Sequence, residues 1–357
     1  MRAILYRRNL SHTSGAGQLI AIQARALRGA GIDTRLVCQR GALRYWMRSG
    51  LRAHTRSAEA VARISGTPEC LVIDHAMALP GAQVVFSHNL MAQAQLFLQR
   101  PDMDIEADRE RRFFAALNPD ALVVANSMLV REAIRAHFDV PEHRLRVCYP
   151  GFRAAEFSSL RRTQLRAQAR RALGLRTDTP LIGFVTSGDL HKRGMGIFLD
   201  AATAMLAQTP GLRFLVVGSR VLPSWMRRHP LLARGTVLHR GRGTHPAKWI
   251  AALDVFLYPA RFEEFGMVVL EACALGVPVI TSRRVGAAEC LPEPYAPWIC
   301  AAPQAELLAD ASLRLLADES ARSRLSAAGI ETAAGLDDAR YAAETLAIVA
   351  SRTEAAA

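Results

Sequence analysis

The chain has 357 residues, half of them apolar and 22% charged, which is enough to bury two cores of ordinary size and excludes a disordered tract. Its net charge of +13 rests on arginine, which fits an anionic partner (a membrane surface, a phosphorylated glycan or nucleic acid) and equally fits a GC-rich genome's habit of placing arginine on solvated faces. Six scattered cysteines without a C-x-x-C pair speak against a zinc site or a disulfide framework and for a reducing cytoplasm.

The N-terminus MRAILYRRNLSH runs from a short apolar strand, 3–6, straight into Arg7 and Arg8, without the apolar core of a signal peptide. No uncharged apolar stretch reaches the roughly 18–20 residues needed to span a bilayer. A loop at 9–17 and a helix at 18–28 follow, then strands at 34–38, 84–87 and 121–125, a helix at 129–137 and a strand at 145–149 that ends at Pro150-Gly151. An arginine- and alanine-rich helix at 161–174, lacking an apolar stripe, suits a domain surface. A second series follows: strand 181–185, loop 186–194, helix 195–208, strands 213–217 and 237–239, helix 246–252, strand 255–258, helix 267–275, strand 277–281, and helices at 304–317 and 319–329. Alternating short strands and helices, twice over, predict two parallel α/β domains, 1–152 and 153–335. The final stretch, 336–357, with an amphipathic helix at 336–351, either extends the second domain or packs back on the first.

The segment AALDVFLYPARFEEFGMVVLEACALGVPVITS carries the most chemistry. Its strand ends at Pro259, at the carboxyl edge of a parallel sheet, where open α/β sheets bind ligands. Phe265 and Gly266 open a helix whose first N–H groups lack intrahelical partners; with the helix dipole they suit a diphosphate or sugar hydroxyls. Glu263 precedes that helix, and Glu271 lies about a turn and a half inside it, so both can face one cleft. A carboxylate accepts two hydrogen bonds from vicinal hydroxyls, as a ribose or hexose presents them. The alternative for Glu271 is a solvated helix face, but Val268, Val269, Leu270 and Ala274 make that face apolar, where a carboxylate needs partners.

EEFGMVVLEACALGVPVI resembles the E-x7-E segment of retaining glycosyltransferase family 4. The resemblance implies the GT-B fold: α/β, with two Rossmann-like doubly wound parallel-sheet domains facing a cleft. It extends over nearly the whole chain, through Ala125-Asn126-Ser127, Arg131-Glu132 and the run from Arg146 to Gly151. LYPARFEE and VCYPGF are closest to the lipopolysaccharide-core glucosyltransferases. By this resemblance Glu263 contacts the donor sugar, Glu271 holds the ribose hydroxyls, and the backbone of Phe265, Gly266, Met267 and Val268 lies near sugar and diphosphate.

Several weaker sites surround this one. In the loop 186–194, Lys192 and Arg193 stand beside a helix start, where cations can neutralise a departing diphosphate. The family usually carries an Arg and, five residues on, a Lys followed by Gly. Here Gly188 stands in the place of the Arg and Arg193-Gly194 in that of Lys-Gly, which leaves catalytic cations and solvated loop cations both open. Gly15 and Gly17 lack the third glycine of a dinucleotide fingerprint, and no acid ends the strand 34–38, which speaks against NAD; in a GT-B setting their loop faces the donor phosphates. His88, at the carboxyl end of its strand, either approaches the donor sugar or is a structural histidine. Gly218 and Gly241, in the turn Arg240-Gly241-Arg242-Gly243, border the nucleotide base by resemblance.

Asp102-Met103-Asp104 matches the metal-binding D-x-D of the other large glycosyltransferase fold but opens a charged helix instead of following a buried strand; it reads as helix capping. Arg44, Arg48, Arg52 and Arg56, with Tyr45, Trp46 and Met47 between them, form either a membrane-facing basic strip or a solvated loop. The dispersed basic residues fit no nucleic-acid module. The expectation is a metal- and cofactor-independent hexosyltransferase, cytoplasmic with a peripheral contact at the anionic inner membrane. It would move a hexose, from UDP-glucose or a relative, to a glycan or lipid-linked glycan acceptor in lipopolysaccharide or other surface polysaccharide synthesis. A non-catalytic nucleotide-sugar-binding subunit and a nucleotide-dependent oxidoreductase are the alternatives.

Overall fold

The computed structural model describes residues 1–354 except 12–13, 42, 65–69, 242 and 244. They group into two compact units: Met1–Gly151 with the chain from Asp338 onward, and Phe152–Asp337. Among the described residues, no helix is long and apolar enough to cross a membrane.

The first unit is built on β1 (Arg2–Leu10), β2 (Asp33–Gly41), β3 (Ala53–Thr55), β4 (Cys70–Asp74), β5 (Val84–Ser87), β6 (Leu122–Ala125) and β7 (Leu145–Val147). They pair in parallel in the order β3-β2-β1-β4-β5-β6-β7. Ala3 to Tyr6 of β1 are all at most 2% exposed, because a strand covered by helices on both sides must be apolar in every residue. The chain winds outward in both directions from β1 and β4, so the crevice of a doubly wound sheet opens at the carboxyl ends of those two strands. β4 was not expected from the sequence, and it delivers Asp74 and His75 to that crevice.

The first helix starts at Gly15, three residues earlier than predicted, because the Ser14 hydroxyl caps it by accepting the Gly17 amide at 3.1 Å. The last helix, Asp338–Glu354, belongs to this unit: Gln23 Nε2 donates to the Tyr341 hydroxyl at 2.9 Å, and Arg352 donates to the Asp120 carbonyl at 2.6 Å.

The second unit repeats the plan with β8 (Leu181–Val185), β9 (Arg213–Gly218), β10 (Val237–Gly241), β11 (Val255–Leu257), β12 (Val279–Ser282) and β13 (Ile299–Cys300), in the order β10-β9-β8-β11-β12-β13. The reversal now falls between β8 and β11, which places the loops 186–194 and 258–266 at the crevice. Two parallel-sheet α/β units of this topology are the GT-B architecture.

The helix Ser159–Ala172 corrects its surface assignment. Arg162, Arg166 and Arg170 fall at successive i+4 positions on one face and clamp carbonyls at residues 251–253 and 276. Arg170 is 1% exposed. No apolar stripe was visible because the buried face of this helix is made of guanidinium stems.

The arginines near residue 50 form no continuous strip. Only Arg44 and Arg48 share the short helix Leu43–Arg48, while Arg52 is paired with Asp33 at 3.1 Å. Trp46 is a core residue, 2% exposed, although Tyr45 and Met47 stay exposed.

Candidate active site

At the β8/β11 crevice two loops are locked together by two glutamate–cation pairs. Leaving β11, the chain turns through Tyr258, Pro259 and Ala260 to Glu263 and Glu264, both buried. Lys192 Nζ lies 2.6 Å from Glu264 Oε1 and 5.5 Å from the centre of the Phe262 ring. Arg193 forms an ion pair with Glu263, whose Oε2 also accepts the Tyr258 hydroxyl at 2.7 Å. The Arg261 amide donates to the Lys192 carbonyl at 2.9 Å. Burial works against the Arg193 charge, but Glu263, Tyr258 and Glu264 overcome it and the guanidinium stays firmly protonated. Burial also raises the Glu264 carboxyl, yet Lys192 and then Arg193 outweigh it and hold the group below its ordinary value. Two cations and two carboxylates thus cancel within the cluster.

Gly188 explains the departure from the family's spacing. A Cβ there would stand 3.0 Å from Arg193 Nε and 3.4 Å from its Nη2. The guanidinium of Arg193 lies over the bare Gly188 backbone, so one arginine occupies the ground that a side chain at 188 would have filled.

Gly266 caps the helix Met267–Ala274 in the left-handed region, at φ +90°. Its carbonyl takes the Val269 amide at 2.9 Å, while the Met267 and Val268 amides have no protein acceptor among the described residues. They form the expected donor-rich helix tip. Phe265 is buried behind it, its carbonyl taken by the Ala287 amide at 2.7 Å.

Glu271 contrasts with Glu263. Its carboxylate has no hydrogen-bond or ion-pair partner among the described residues, and burial raises it to about 7, with Arg153 pulling it down and Glu156 pushing it up. Arg153 is itself paired with Glu156 at 2.7 Å. A half-buried carboxylate without a partner is costly, and such groups concentrate at ligand sites. Gly218 and Gly241 end β9 and β10 in register with one another. Arg242 lies outside the described residues.

In the first unit, His88 has a partner that the sequence reading missed. Its Nε2 lies 2.9 Å from His75 Nδ1, the two rings stack at 5.1 Å, and the Phe86 ring stacks against both, at 5.1 Å from His75 and 6.4 Å from His88. Both imidazoles are held neutral: burial, then His88 and Arg7, depress His75, and burial with Arg7 lowers His88 to about 3. The Arg7 guanidinium donates to the His75 carbonyl at 3.0 Å. Asp74, fully buried, accepts the Ala76, Ala78 and Leu79 amides at 2.7–2.8 Å and shapes the loop after β4. The only available signal was CLVID followed by histidine, a strand too short for any period to show. Gly17 is fixed by packing, since a Cβ there would stand 1.9 Å from the Ser11 carbonyl oxygen.

Asp102 and Asp104 hold no metal arrangement: Asp102 pairs with Arg100, and Asp104 accepts Gln95 Nε2 at 2.6 Å. Among the described residues, no group of acids, histidines and cysteines is placed to bind a metal ion.

Fold and crevice geometry together define two parallel-sheet α/β units of the GT-B architecture. Residues 179–318, within the second unit, match the family described as Glycosyl transferases group 1. Among curated proteins, a lipopolysaccharide core biosynthesis mannosyltransferase, LpsB, of Rhizobium meliloti is 32% identical over 33% of this chain and 35% of its own length. A D-inositol 3-phosphate glycosyltransferase of a Nocardioides species is 29% identical over 59% of this chain and 49% of its own length. The matches therefore span about a third to a half of these relatives. Among solved structures, Anabaena HepE in complex with UDP and glucose aligns with a TM-score of 0.79 at 17% identity, over 98% of this chain and 100% of that one. WaaG, a glycosyltransferase involved in lipopolysaccharide biosynthesis, aligns at 0.78 and 16% identity over 95% and 98%. These likenesses establish the fold over the whole chain.

Proposed function

We propose that this chain is a retaining hexosyltransferase that moves a sugar from a nucleoside diphosphate, UDP-glucose foremost, to a glycan hydroxyl in lipopolysaccharide or related surface-polysaccharide synthesis. The carrying observation is Glu271, a partnerless carboxylate raised to about 7, one and a half turns behind a helix tip with two unused amides. A nucleotide sugar satisfies both at once: the ribose diol donates to Glu271, and the diphosphate accepts from Met267 and Val268. The UDP and glucose in the HepE structure support this donor class.

Arg193 and Lys192 are tethered by Glu263 and Glu264 through single atoms, so each keeps further N–H donors for the diphosphate. Being already fixed, they need no reorganisation as negative charge develops on the leaving group. In the transfer step the bond from C1 to the β-phosphate oxygen breaks and the acceptor oxygen bonds to C1 on the same face. The acceptor proton passes to the departing phosphate. Glu263, pinned by Arg193 and Tyr258, orients the sugar. These fixed N–H donors stand where a divalent metal serves elsewhere, so activity should survive EDTA.

Thermal-shift and calorimetric titration with UDP-, GDP- and ADP-sugars tests the reading. Donor binding that Glu271→Ala abolishes is expected; equal binding by both proteins defeats the site. Donor turnover by the isolated chain excludes the non-catalytic subunit.

A further inference from the structure

The first unit has its own pocket, of about 190 Å³, at the carboxyl ends of β1, β4 and β5. That is below the roughly 300–1,000 Å³ of sites that take drug-sized ligands, and suits one sugar residue with a substituent. From the charges and hydrogen bonds around it, we infer that this pocket binds an oxyanion, the phosphate or carboxylate of an acidic acceptor sugar, on Arg7 and Arg8 beside the His75–His88 pair. The inference rests on the transferase reading for calling this the acceptor side, whereas the anion site itself does not.

Arg7 and Arg8, successive residues of β1, both line the pocket. Arg7 is held by two carbonyls, of Asn9 at 3.2 Å and His75 at 3.0 Å, and pairs with no carboxylate among the described residues. Arg8 pairs with none either. The acids nearby are already engaged: Asp74 in three backbone amides, Glu106 in an ion pair with Arg109, and Glu110 in the Met91 and Ala92 amides at 3.1 and 2.8 Å. Asp74 tempers the charge of both arginines without an ion pair, so each guanidinium keeps donors for a planar or tetrahedral oxyanion, which the arginine fork matches in two-point geometry.

The histidine pair gives the pocket its second feature. One hydrogen bond joins His75 Nδ1 and His88 Nε2, while His75 Nε2 is buried with no partner, in a side chain 3% exposed. A buried ring nitrogen without a partner in the wall of a polar pocket calls for a ligand hydroxyl. An anion for the arginines and a hydroxyl for the imidazole describe an acidic monosaccharide unit. Met77, on the rim, holds a left-handed backbone at φ +46°, a strained conformation of the sort retained at binding sites.

The same oxyanion chemistry is present in the nucleotide, so the test separates the two sources. The full chain is titrated calorimetrically with glucose 6-phosphate, glucuronate, glucose and inorganic phosphate, each with and without saturating UDP. Expected is binding of glucose 6-phosphate or glucuronate at least ten-fold tighter than glucose, unchanged by UDP, and weakened ten-fold or more in Arg8→Gln. Arg8 is only half-buried, so that variant should fold, and Arg7→Lys, which keeps the charge but loses the fork, should weaken binding as well. Displacement by UDP assigns the anion to the donor and overturns the inference. So do equal affinity for glucose, an Arg8→Gln protein that binds as before, or binding of inorganic phosphate alone. Failure of UDP to bind at all breaks the transferase reading while leaving the anion measurement legible.

Discussion

Gly194 and Pro259 approach so closely that a Cβ on Gly194 would stand 1.8 Å from the Pro259 carbonyl oxygen, and Gly194 itself sits at φ +79°. This contact joins the loop carrying Lys192 and Arg193 to the loop carrying Glu263 and Glu264. Gly194→Ala must therefore move backbone against backbone and hold alanine in a region that costs about 1–3 kcal/mol. The expected result is a folded protein with at least ten-fold weaker donor affinity, measured by calorimetry. Gly196→Ala, two residues on, where nothing lies within 4 Å, is the control and should bind donor normally. Equal affinities in the two variants would show that the loop junction does not matter to the ligand.

The buried guanidinium of Arg170 supports the same unit from its opposite side. It donates to the carbonyls of Arg176 and Ala252 at 3.1 and 2.8 Å, to that of Thr179, and reaches Asp254 at 3.5 Å. Arg170→Ala leaves these carbonyls without a donor and should destabilise the unit by about 3–5 kcal/mol, as loss of one partner of a buried polar cluster does. Urea midpoints should drop accordingly. Arg171→Ala, on an exposed neighbour, should change them by no more than about 0.5 kcal/mol.

His75 and His88 are neutral in the fold, and the unfolded chain takes up their protons below about 6.5. Because each folded-state value is depressed, the unfolded state binds more protons as pH falls. Stability should thus decline from about 6.5 downward, toward the value of about 3 at His88. The urea midpoint at pH 5 should lie below that at pH 7, and His88→Gln should narrow the gap. A gap of the same width in the variant would mean that His88 titrates normally.

How legible all this was depended on how local each feature is. The strand, Gly266, Glu263 and Glu271 lie within seventeen residues of one another, so their spacing and the resemblance it carries point to a donor site from the sequence. The arginine face at 162, 166 and 170 was read as surface because the carbonyls at 251–253 and 276 that it binds lie 82 to 114 residues away in sequence. β4 was overlooked since four apolar residues ahead of Asp74 carry no periodicity, and with it went Asp74 and the pocket-lining His75, Ala76 and Met77. Lys192 and Arg193 were recognised as cations, but their carboxylate partners come from the other loop, so only the folded chain shows that the charges cancel.

Glu271 supplies the sharpest pH test. Burial raises its carboxyl from the usual range to about 7, so it titrates near neutrality. A raised value means that its contribution to stability is present below the unfolded value and fades as pH rises through about 7. Nucleotide binding should run the other way, because only the ionised form accepts both ribose hydroxyls; UDP affinity should climb between about pH 6 and 8. UDP titrates in part of that window too, and the comparison with Glu271→Gln separates the two: the amide variant should bind more weakly at pH 8, by ten-fold or more, and lose the excess slope. Such a loss corresponds to about 1.5–3 kcal/mol for hydrogen bonds to a charged acceptor. Parallel profiles for the two proteins would place the ribose elsewhere.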